Sequence, residues 1–193
     1  MSPRHLSIAS RMVFGFAIIC TLSIALGVFG LRQIDEVQDQ TIEIKDNWLQ
    51  RVRALGAANA ALNRYRMGSM QHILSTTEKD MQSYEDKTAG RLQQVREQMQ
   101  AYAQLLGSDA EKGQLAAFNA SLDVYAAHHL ELLKRSRQGD KSGAREYLMT
   151  IRDSYDQMTK NFDELIDRSN QGAEAAGQQS EAAYQRAVRG VWL

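Results

Sequence analysis

Two hydrophobic patterns divide this chain. Residues 12–31 form an unbroken run of twenty uncharged, mostly apolar residues near the N-terminus. At about 1.5 Å of rise per residue, a helix of this length spans roughly 30 Å, the thickness of the hydrocarbon core of a bilayer. Beyond this run, apolar residues recur at alternating three- and four-residue spacings, which is typical of packed amphipathic helices. The pattern predicts a transmembrane helix at 12–31 that continues into an all-α domain.

Three short segments interrupt the helical pattern of that domain. A Ser/Thr cluster followed by acidic residues at 75–80 and a glycine stop at 138–142 are typical of helix boundaries. Between them, Gly107 is followed by Ser108 and Glu111, which have the spacing of a capping box. Short loops make successive helices antiparallel. The sequence therefore predicts an up-down-up-down antiparallel four-helix bundle with helices at about 32–75, 79–106, 109–137 and 141–190.

The charges around the apolar run predict its orientation. Basic residues precede it and acidic residues follow it closely. By the positive-inside rule, residues 1–11 stay in the cytoplasm and the residues beyond the run are exported. A cleaved signal peptide is the alternative, but the run is longer than the usual hydrophobic core of about 7–15 residues. We therefore expect an uncleaved transmembrane helix at 12–31 and an exported domain at 32–187.

A short apolar segment at the C-terminal end points to a second membrane contact. Residues 188–193 include Trp192, and tryptophan is enriched where helices enter a membrane. We interpret this segment as the truncated start of a second transmembrane helix. By this interpretation, a cytoplasmic region lies beyond it.

Composition narrows the classes of function. The chain balances 23 basic against 23 acidic residues, which excludes a strongly basic nucleic-acid binder. The cysteine, Cys20, lies inside the apolar run, so we expect no disulfide in the exported part. The sequence contains no zinc-binding His or Cys motif, no glycine-rich phosphate loop and no recognisable catalytic triad. We therefore predict neither a cofactor nor catalysis.

Polar residues interrupt the apolar seam of the first bundle helix. A buried arginine on such a seam needs a carboxylate, a second subunit or a ligand beside it. Counting residues from the loops places Thr88, Arg91 and the segments 125–129 and 152–155 at the height of Arg66. The predicted seam consists of Trp48, Val52, Leu55, Asn59, Leu62, Arg66, Ser69 and Ile73.

Two interpretations of this polar layer stay open. Arg, Thr, Tyr and His donors with few inward acids suit a small carboxylate ligand. Asp153 is the plain structural alternative, since it can pair with Arg64 or Arg66 in an ion-pair layer.

The order of elements resembles a known receptor family. An anchor is followed by a long helix, two shorter helices, a long helix and a second anchor. Local motifs are also similar: Asn63-Arg64-Tyr65-Arg66, Tyr125, and Arg137-Gln138-Gly139-Asp140 ahead of Ala144-Arg145. The chain resembles the N-terminal part of bacterial methyl-accepting chemotaxis receptors with the aspartate-receptor type of sensor domain. The resemblance implies a homodimer in the inner membrane with a periplasmic sensor domain, and a cytoplasmic kinase and adaptor reached through the missing C-terminal region.

The resemblance also implies a set of ligand-binding residues. Arg64 and Arg66 match the arginines that grip a ligand carboxylate, and Thr150 is the nearest match to a hydroxyl on the last helix. Relatives that bind organic acids within one subunit favour residues on the middle helices, with a basic group at Lys134, Arg135 and Arg137. The candidate ligand-binding residues are Arg64, Arg66, Ser69, Thr88, Tyr125, His129, Arg135, Thr150 and Tyr155.

Ligand binding is expected to change the relative height or tilt of the first and last bundle helices. We expect Arg66→Ala to abolish binding of an organic or amino-acid carboxylate. Two alternatives stay open: the sensor end of a histidine kinase or cyclase, and a membrane-anchored structural or adaptor bundle without a small ligand.

Overall fold

The computed structural model describes residues 8–191. This part of the chain is helical throughout apart from short connections, which confirms the all-α prediction. Residues 1–7 and 192–193 lie outside it, so the prediction for Trp192 is not tested. The elements are α1 (Ile8–Glu43), a π-helical turn (Ile44–Trp48), α2 (Leu49–Leu74), α3 (Glu78–Ala103), α4 (Asp109–Arg137), α5 (Lys141–Thr150) and α6 (Arg152–Val191).

The described residues form two compact units. The bundle unit is Lys45–Ala173, and the second unit combines residues 8–44 with residues 174–191. The bundle unit is narrower than the exported domain expected at 32–187, a boundary that stays a prediction. Within the second unit, Arg186 pairs with Glu36 at 2.9 Å, and Gly190 lies against the Phe29 ring.

Local hydrogen bonds begin the bundle helices where the sequence predicts breaks. The Thr77 hydroxyl accepts from the Asp80 amide at the start of α3. Ser108 and Glu111 form the predicted capping box at the start of α4. The Asp140 carboxylate accepts from the Gly143 amide at the start of α5. These caps satisfy amide groups that have no partner inside a helix.

Two predicted long helices are interrupted. The first contains the π-helical turn Ile44–Trp48, and the last is divided at Ile151, whose amide bonds back to the Tyr147 carbonyl. The second predicted helix ends at Ala103 rather than at 106, because the Leu105 carbonyl accepts a hydrogen bond from Arg51. The early end of the second predicted helix thus involves a contact with another helix, which the local pattern does not contain.

The core of the bundle unit is built from apolar residues of every bundle helix. Phe118 of α4 packs on Phe162 of α6 with ring centres 5.1 Å apart. The Tyr102 hydroxyl lies 3.1 Å from the Ser169 hydroxyl, so this polar pair is satisfied inside the core. The largest fully buried side chains are Tyr65, Tyr102, Tyr125, Phe118, Met99, Leu122, Leu132, Met158, Leu165, His72, His129 and Val95.

The buried face of α2 differs from the predicted seam at three positions. Leu55, Leu62, Ser69 and Ile73 are buried as predicted, whereas Val52 and Asn59 are exposed and Arg66 is half-buried. Small side chains occupy much of the true face, which lets α2 pack closely on its neighbours. That face consists of Arg51, Ala54, Leu55, Ala58, Ala61, Leu62, Tyr65, Gly68, Ser69, His72 and Ile73.

Candidate functional site

A small pocket between α2 and α3, here called the basic pocket, has a volume of about 160 Å³. The two helices approach closely beside it because Gly68 faces Thr88, and a Cβ atom at Gly68 would overlap the Thr88 methyl group. The lining residues are Arg64, Met67, Gly68, Gln71, Tyr84, Lys87, Thr88 and Arg91. The pocket therefore contains two residues that the sequence predicted, Arg64 and Thr88.

Positive charge dominates the basic pocket. Arg64, Lys87 and Arg91 line it, and no acidic residue is among its lining residues within the described chain. The Lys87 ammonium lies 5.1 Å from the centre of the Tyr84 ring, and Arg91 donates to the Gln94 side chain. Arg64 is exposed and has no hydrogen bond or ion pair to any residue in 8–191. An anion would reduce the mutual repulsion of these cations.

A series of ring contacts crosses the bundle. His129 stacks on Tyr65 at 4.1 Å between ring centres, and Tyr65 meets Tyr125 edge-on at 6.0 Å. Tyr125 contacts Tyr155 of α6 at 5.3 Å. At the Tyr155 end of this series, the Arg66 guanidinium lies over the Tyr155 ring, 3.6 Å from its centre. Four predicted residues are thus brought together, and Tyr65 is the link that the seam analysis missed.

Burial favours the neutral forms of His129, Tyr125 and Tyr65. It lowers the pKa of His129 to about 4, raises the pKa of Tyr125 to about 12 and raises that of Tyr65 further. The His129 Nε2 atom is buried and has no hydrogen-bond partner among the described residues. Ser69 is also buried, and its hydroxyl oxygen lacks a partner in the same part of the chain.

A wider groove, here called the α3–α4 groove, has a volume of about 510 Å³ and is mostly apolar. Its polar lining residues include Thr88 and His129, both predicted from the sequence. The lining residues are Tyr65, Gln82, Glu85, Asp86, Thr88, Ala89, Leu92, His129, Leu130, Leu133, Lys134 and Arg137.

A polar network that the sequence analysis missed lies beside this groove. Arg137 donates to both carboxylate oxygens of Glu85, at 2.8 and 2.9 Å, and this hydrogen bonding lowers the pKa of Glu85. His72 Nε2 lies 3.0 Å from Glu85 Oε1, the oxygen that also accepts from Arg137 Nε, while burial lowers the pKa of His72. Ser136 and Lys141 complete the network. His72 lies three residues after the predicted seam residue Ser69, so a three-residue step at this point would have found it beside Ile73.

The remaining predicted residues lie elsewhere. Arg135 donates to Glu131 and covers the Tyr147 ring at 4.4 Å. Thr150 is exposed and donates its hydroxyl to the Tyr147 carbonyl oxygen. Within residues 8–191, no group of three or more His, Cys, Asp or Glu side chains has an arrangement that could hold a metal ion.

Arg64 and Arg66 do not share a pocket within one chain. They are two residues apart on α2, hence about 200° around the helix axis. Arg64 lines the basic pocket, whereas Arg66 lies on Tyr155. A joint grip by both arginines on one carboxylate stays a prediction.

A helical bundle preceded by a long apolar helix is the form of a membrane-associated sensor. One helix in the described chain, Ala9–Leu74, is long and apolar enough to cross a membrane, and its apolar stretch is exposed. The family described as a four helix bundle sensory module for signal transduction matches residues 5–184. The chain belongs to this family.

A bacterial transducer is similar over nearly the whole chain. YvaQ of Bacillus subtilis (strain 168), provisionally named a sensory transducer protein, is 17% identical over 184 residues. These residues are 95% of this chain but 32% of YvaQ, so the chain spans about a third of that relative. Together with the family, this similarity supports a chemoreceptor-like, signal-transducing sensor module.

Proposed function

We propose that this chain is the ligand-sensing part of a transmembrane chemoreceptor that binds a small carboxylate. The observation that carries the proposal is the basic pocket, where Arg64, Lys87 and Arg91 converge without an acidic residue among the described lining residues. Guanidinium groups bind carboxylates through paired, charge-assisted hydrogen bonds. The pocket belongs to a sensory module, so ligand binding is its expected task.

The size of the basic pocket limits the ligand. A cavity of about 150 Å³ holds a molecule of the size of benzene. The 160 Å³ of the basic pocket therefore suits a short organic acid or a small amino acid. Three cations can serve one to three carboxyl groups, and Gln71 adds an amide that can orient a further polar group.

A homodimer is the assembly that the surface of α2 favours. Apolar residues remain exposed on the face opposite the bundle core, at the three- and four-residue spacing of a helix–helix seam. Asn59 and Asn63 lie in the middle of this face and share a side-chain hydrogen bond at 3.1 Å. The face, here called the α2 outer face, consists of Leu49, Val52, Gly56, Asn59, Asn63, Met67, Met70 and Leu74.

The basic pocket lies next to the α2 outer face. Met67 belongs to both, and Arg64 follows Asn63 directly. A partner subunit on this face would come close to the ligand, in line with a site shared across the dimer. The same arrangement leaves Arg66 on the bundle side, where it binds Tyr155.

The membrane location follows from α1 and the end of α6. The exposed apolar part of α1 crosses the inner membrane, and the bundle unit lies in the periplasm. The contact between Gly190 and Phe29 supports a second span beginning near residue 188, because Phe29 lies inside the apolar run. The output region beyond it controls a cytoplasmic kinase through an adaptor.

Signalling follows from the difference in ligand affinity between two helix arrangements. The α6 helix runs from Arg152 to Val191, so one helix joins the proposed site to the residues nearest the proposed second span. A ligand between α2 and α3 changes how α2 packs. The Arg66–Tyr155 contact then passes this change to α6.

The experiment is a thermal unfolding screen of the whole chain in nanodiscs against acetate, succinate, malate, citrate, aspartate and glutamate. A ligand at 100 times its Kd stabilises the folded chain by about 2.7 kcal/mol. We expect at least one carboxylate to raise the unfolding temperature, and we expect Arg64→Ala to remove that rise.

The matched control is Arg53→Ala, an exposed arginine on the same helix that lines no pocket described above. It should keep the full response. If no carboxylate stabilises the chain, or if Arg64→Ala and Arg53→Ala respond alike, the basic pocket is not the ligand site. Loss of binding in Arg66→Ala with Arg64→Ala unaffected would place the ligand beside Tyr155 instead.

A further inference from the structure

The α3–α4 groove differs in chemistry from the basic pocket. Its apolar walls are Ala89, Leu92, Leu130 and Leu133, and the buried Tyr65 also lines it. Its volume of about 510 Å³ falls in the range of about 300–1,000 Å³ that is usual for small-molecule sites. The groove therefore has the size and the apolar lining of a binding site.

One buried polar group in the groove has no partner. His129 lines the groove, only 2% of its surface is exposed, and its Nε2 atom has no hydrogen-bond partner among the described residues. Buried polar atoms are nearly always paired in folded proteins, and exceptions often mark functional sites. The imidazole is neutral near pH 7 because burial lowers its pKa to about 4, so it can donate or accept one hydrogen bond.

The charged residues at the groove are already paired or balanced. Arg137 is bound by Glu85, Asp86 accepts a hydrogen bond from Gln82, and Lys134 lies 3.9 Å from Glu131. Two acids and two bases thus line the groove. A carboxylate would find no free cation comparable to Arg64, and its desolvation would cost more than it regained.

We infer that the α3–α4 groove is a second ligand site, which binds an uncharged ring compound with one hydrogen-bonding group. The ring lies among Leu92, Leu130 and Leu133, and the polar group pairs with His129 Nε2 after a small rotation of the imidazole brings this buried atom to the groove. Aromatic ligands suit this apolar groove, which the rings of Tyr65 and His129 also line. This site differs from the basic pocket in position and in the charge of its ligand.

The same groove has a physical connection to α6. An occupant touches Tyr65 and His129, the first members of the ring series that continues through Tyr125 to Tyr155. Rings packed in this way have few alternative arrangements in a close-packed interior. A ligand in the groove can therefore affect α6, the helix through which the proposed carboxylate signal also passes.

The test is isothermal titration of the whole chain in nanodiscs with phenol, indole and benzamide, against empty nanodiscs for partitioning into lipid. Benzoate serves as the charged counterpart of benzamide. We expect at least one uncharged ring to bind, and benzoate to bind at least ten-fold more weakly than benzamide.

Two substitutions with the same new side chain locate the site. Ala89→Trp fills the groove and should weaken ring binding at least ten-fold, whereas Ala101→Trp, at an exposed position of α3 outside the groove, should leave it unchanged. His129→Phe keeps a ring but removes the polar atom. It should weaken phenol binding about five-fold while leaving toluene binding unchanged, as loss of one hydrogen bond predicts.

Three results would overturn the inference: no binding of any uncharged ring, equal losses in Ala89→Trp and Ala101→Trp, or benzoate binding tighter than benzamide. Arg64→Ala separates this site from the proposed carboxylate site, since it should leave ring binding intact. Loss of ring binding in Arg64→Ala would assign the ring compounds to the basic pocket and refute a second site.

Discussion

The guanidinium carbon of Arg66 lies 3.6 Å from the centre of the Tyr155 ring and joins α2 to α6. A partly buried arginine on the inner side of the bundle thus meets the face of an aromatic ring rather than a carboxylate. The positive group is attracted to the negative face of the ring. Arg66 therefore has a structural partner that does not depend on a ligand.

Arg66→Ala should lower the free energy of unfolding by about 0.5–2 kcal/mol, the usual value of a cation–π contact. Binding of the carboxylate in the basic pocket should persist, because Arg66 does not line it. Chemical denaturation measures the first effect and titration measures the second. Arg66→Lys should lie between wild type and alanine, whereas equal stability of all three proteins would show that the contact contributes nothing.

Arg51 makes the buried ion pair of the bundle unit. Its Nη1 atom lies 2.6 Å from Glu111 Oε1, and its exposed fraction is 4%. Arg51→Ala should destabilise the chain by about 3–5 kcal/mol, because Glu111 is left without its cation. Arg51→Met combined with Glu111→Gln should recover part of this loss in thermal unfolding. An Arg51→Ala protein as stable as wild type would contradict the prediction.

The same pair predicts a loss of stability in acid. Burial opposes ionisation of Glu111, but hydrogen bonds from Ser108 and Arg51 outweigh it, so the pKa of Glu111 is lowered in the folded state. The carboxylate therefore stabilises the fold above its unfolded pKa, near 4.5, and this contribution is lost as the pH falls through the lower folded pKa. Urea unfolding of wild type and Glu111→Gln from pH 6 to pH 3 should show a steeper loss in wild type.

Protonation of His129 predicts a loss of stability over a different pH range. Burial lowers its folded pKa to about 4 from an ordinary value of 6.5, so the unfolded chain binds this proton more readily. Stability should be full above about pH 6.5 and fall toward pH 4, with a loss on the order of 3 kcal/mol. His129→Phe should have a flatter profile over this range. Identical slopes for the two proteins would refute the prediction.

Gly172 lies against the Trp48 ring, where a Cβ atom would overlap three ring carbons. Gly172→Ala should destabilise the bundle by about 1–3 kcal/mol despite the better helix propensity of alanine. Gly90→Ala is the matched control, because nothing lies within 4 Å of its Cβ position. This control should be stabilised by about 0.5–1 kcal/mol. Equal shifts in the unfolding temperature of Gly172→Ala and Gly90→Ala would show that the Trp48 ring moves aside without loss of stability.

The proposed homodimer can be tested on the α2 outer face. Val52→Glu combined with Met70→Glu should convert a dimer into monomers in light scattering, because two charges would be buried at the interface. Val124→Glu, an exposed apolar position on α4, is the matched control and should stay dimeric. A wild-type chain that is monomeric at all concentrations would refute the homodimer.

Helix starts were predictable from the sequence because their causes are local. The capping box needs only Ser108 and Glu111, which are three residues apart, and Asp140 similarly reaches Gly143. The end of α3 was not predictable. The carbonyl of Leu105, two residues beyond this helix, accepts a hydrogen bond from Arg51 on another helix. The π-helical turn Ile44–Trp48 was also not predictable, because the residues that form it contain no sequence pattern typical of such a turn.

The candidate site was predictable in part. Arg64 and Thr88 were selected from the sequence and line one pocket, but Lys87 was not selected. Arg66 was selected with Arg64 and lies on another face of α2. Helical spacing places residues around one helix but does not say which neighbour each face meets.

By itself, the sequence determined the apolar run, the helical class and the starts of α3, α4 and α5, because these depend on residues within one or two turns of each other. Only the tertiary structure decided which face of α2 is buried. Two faces of this helix carry nearly the same three- and four-residue spacing, and one ends in the core while the other keeps Val52 and Asn59 exposed. The choice depends on close packing against α3, α4 and α6, which involves residues far away in the chain. For the same reason, the orphaned His129 and the groove beside it appear only in the folded bundle.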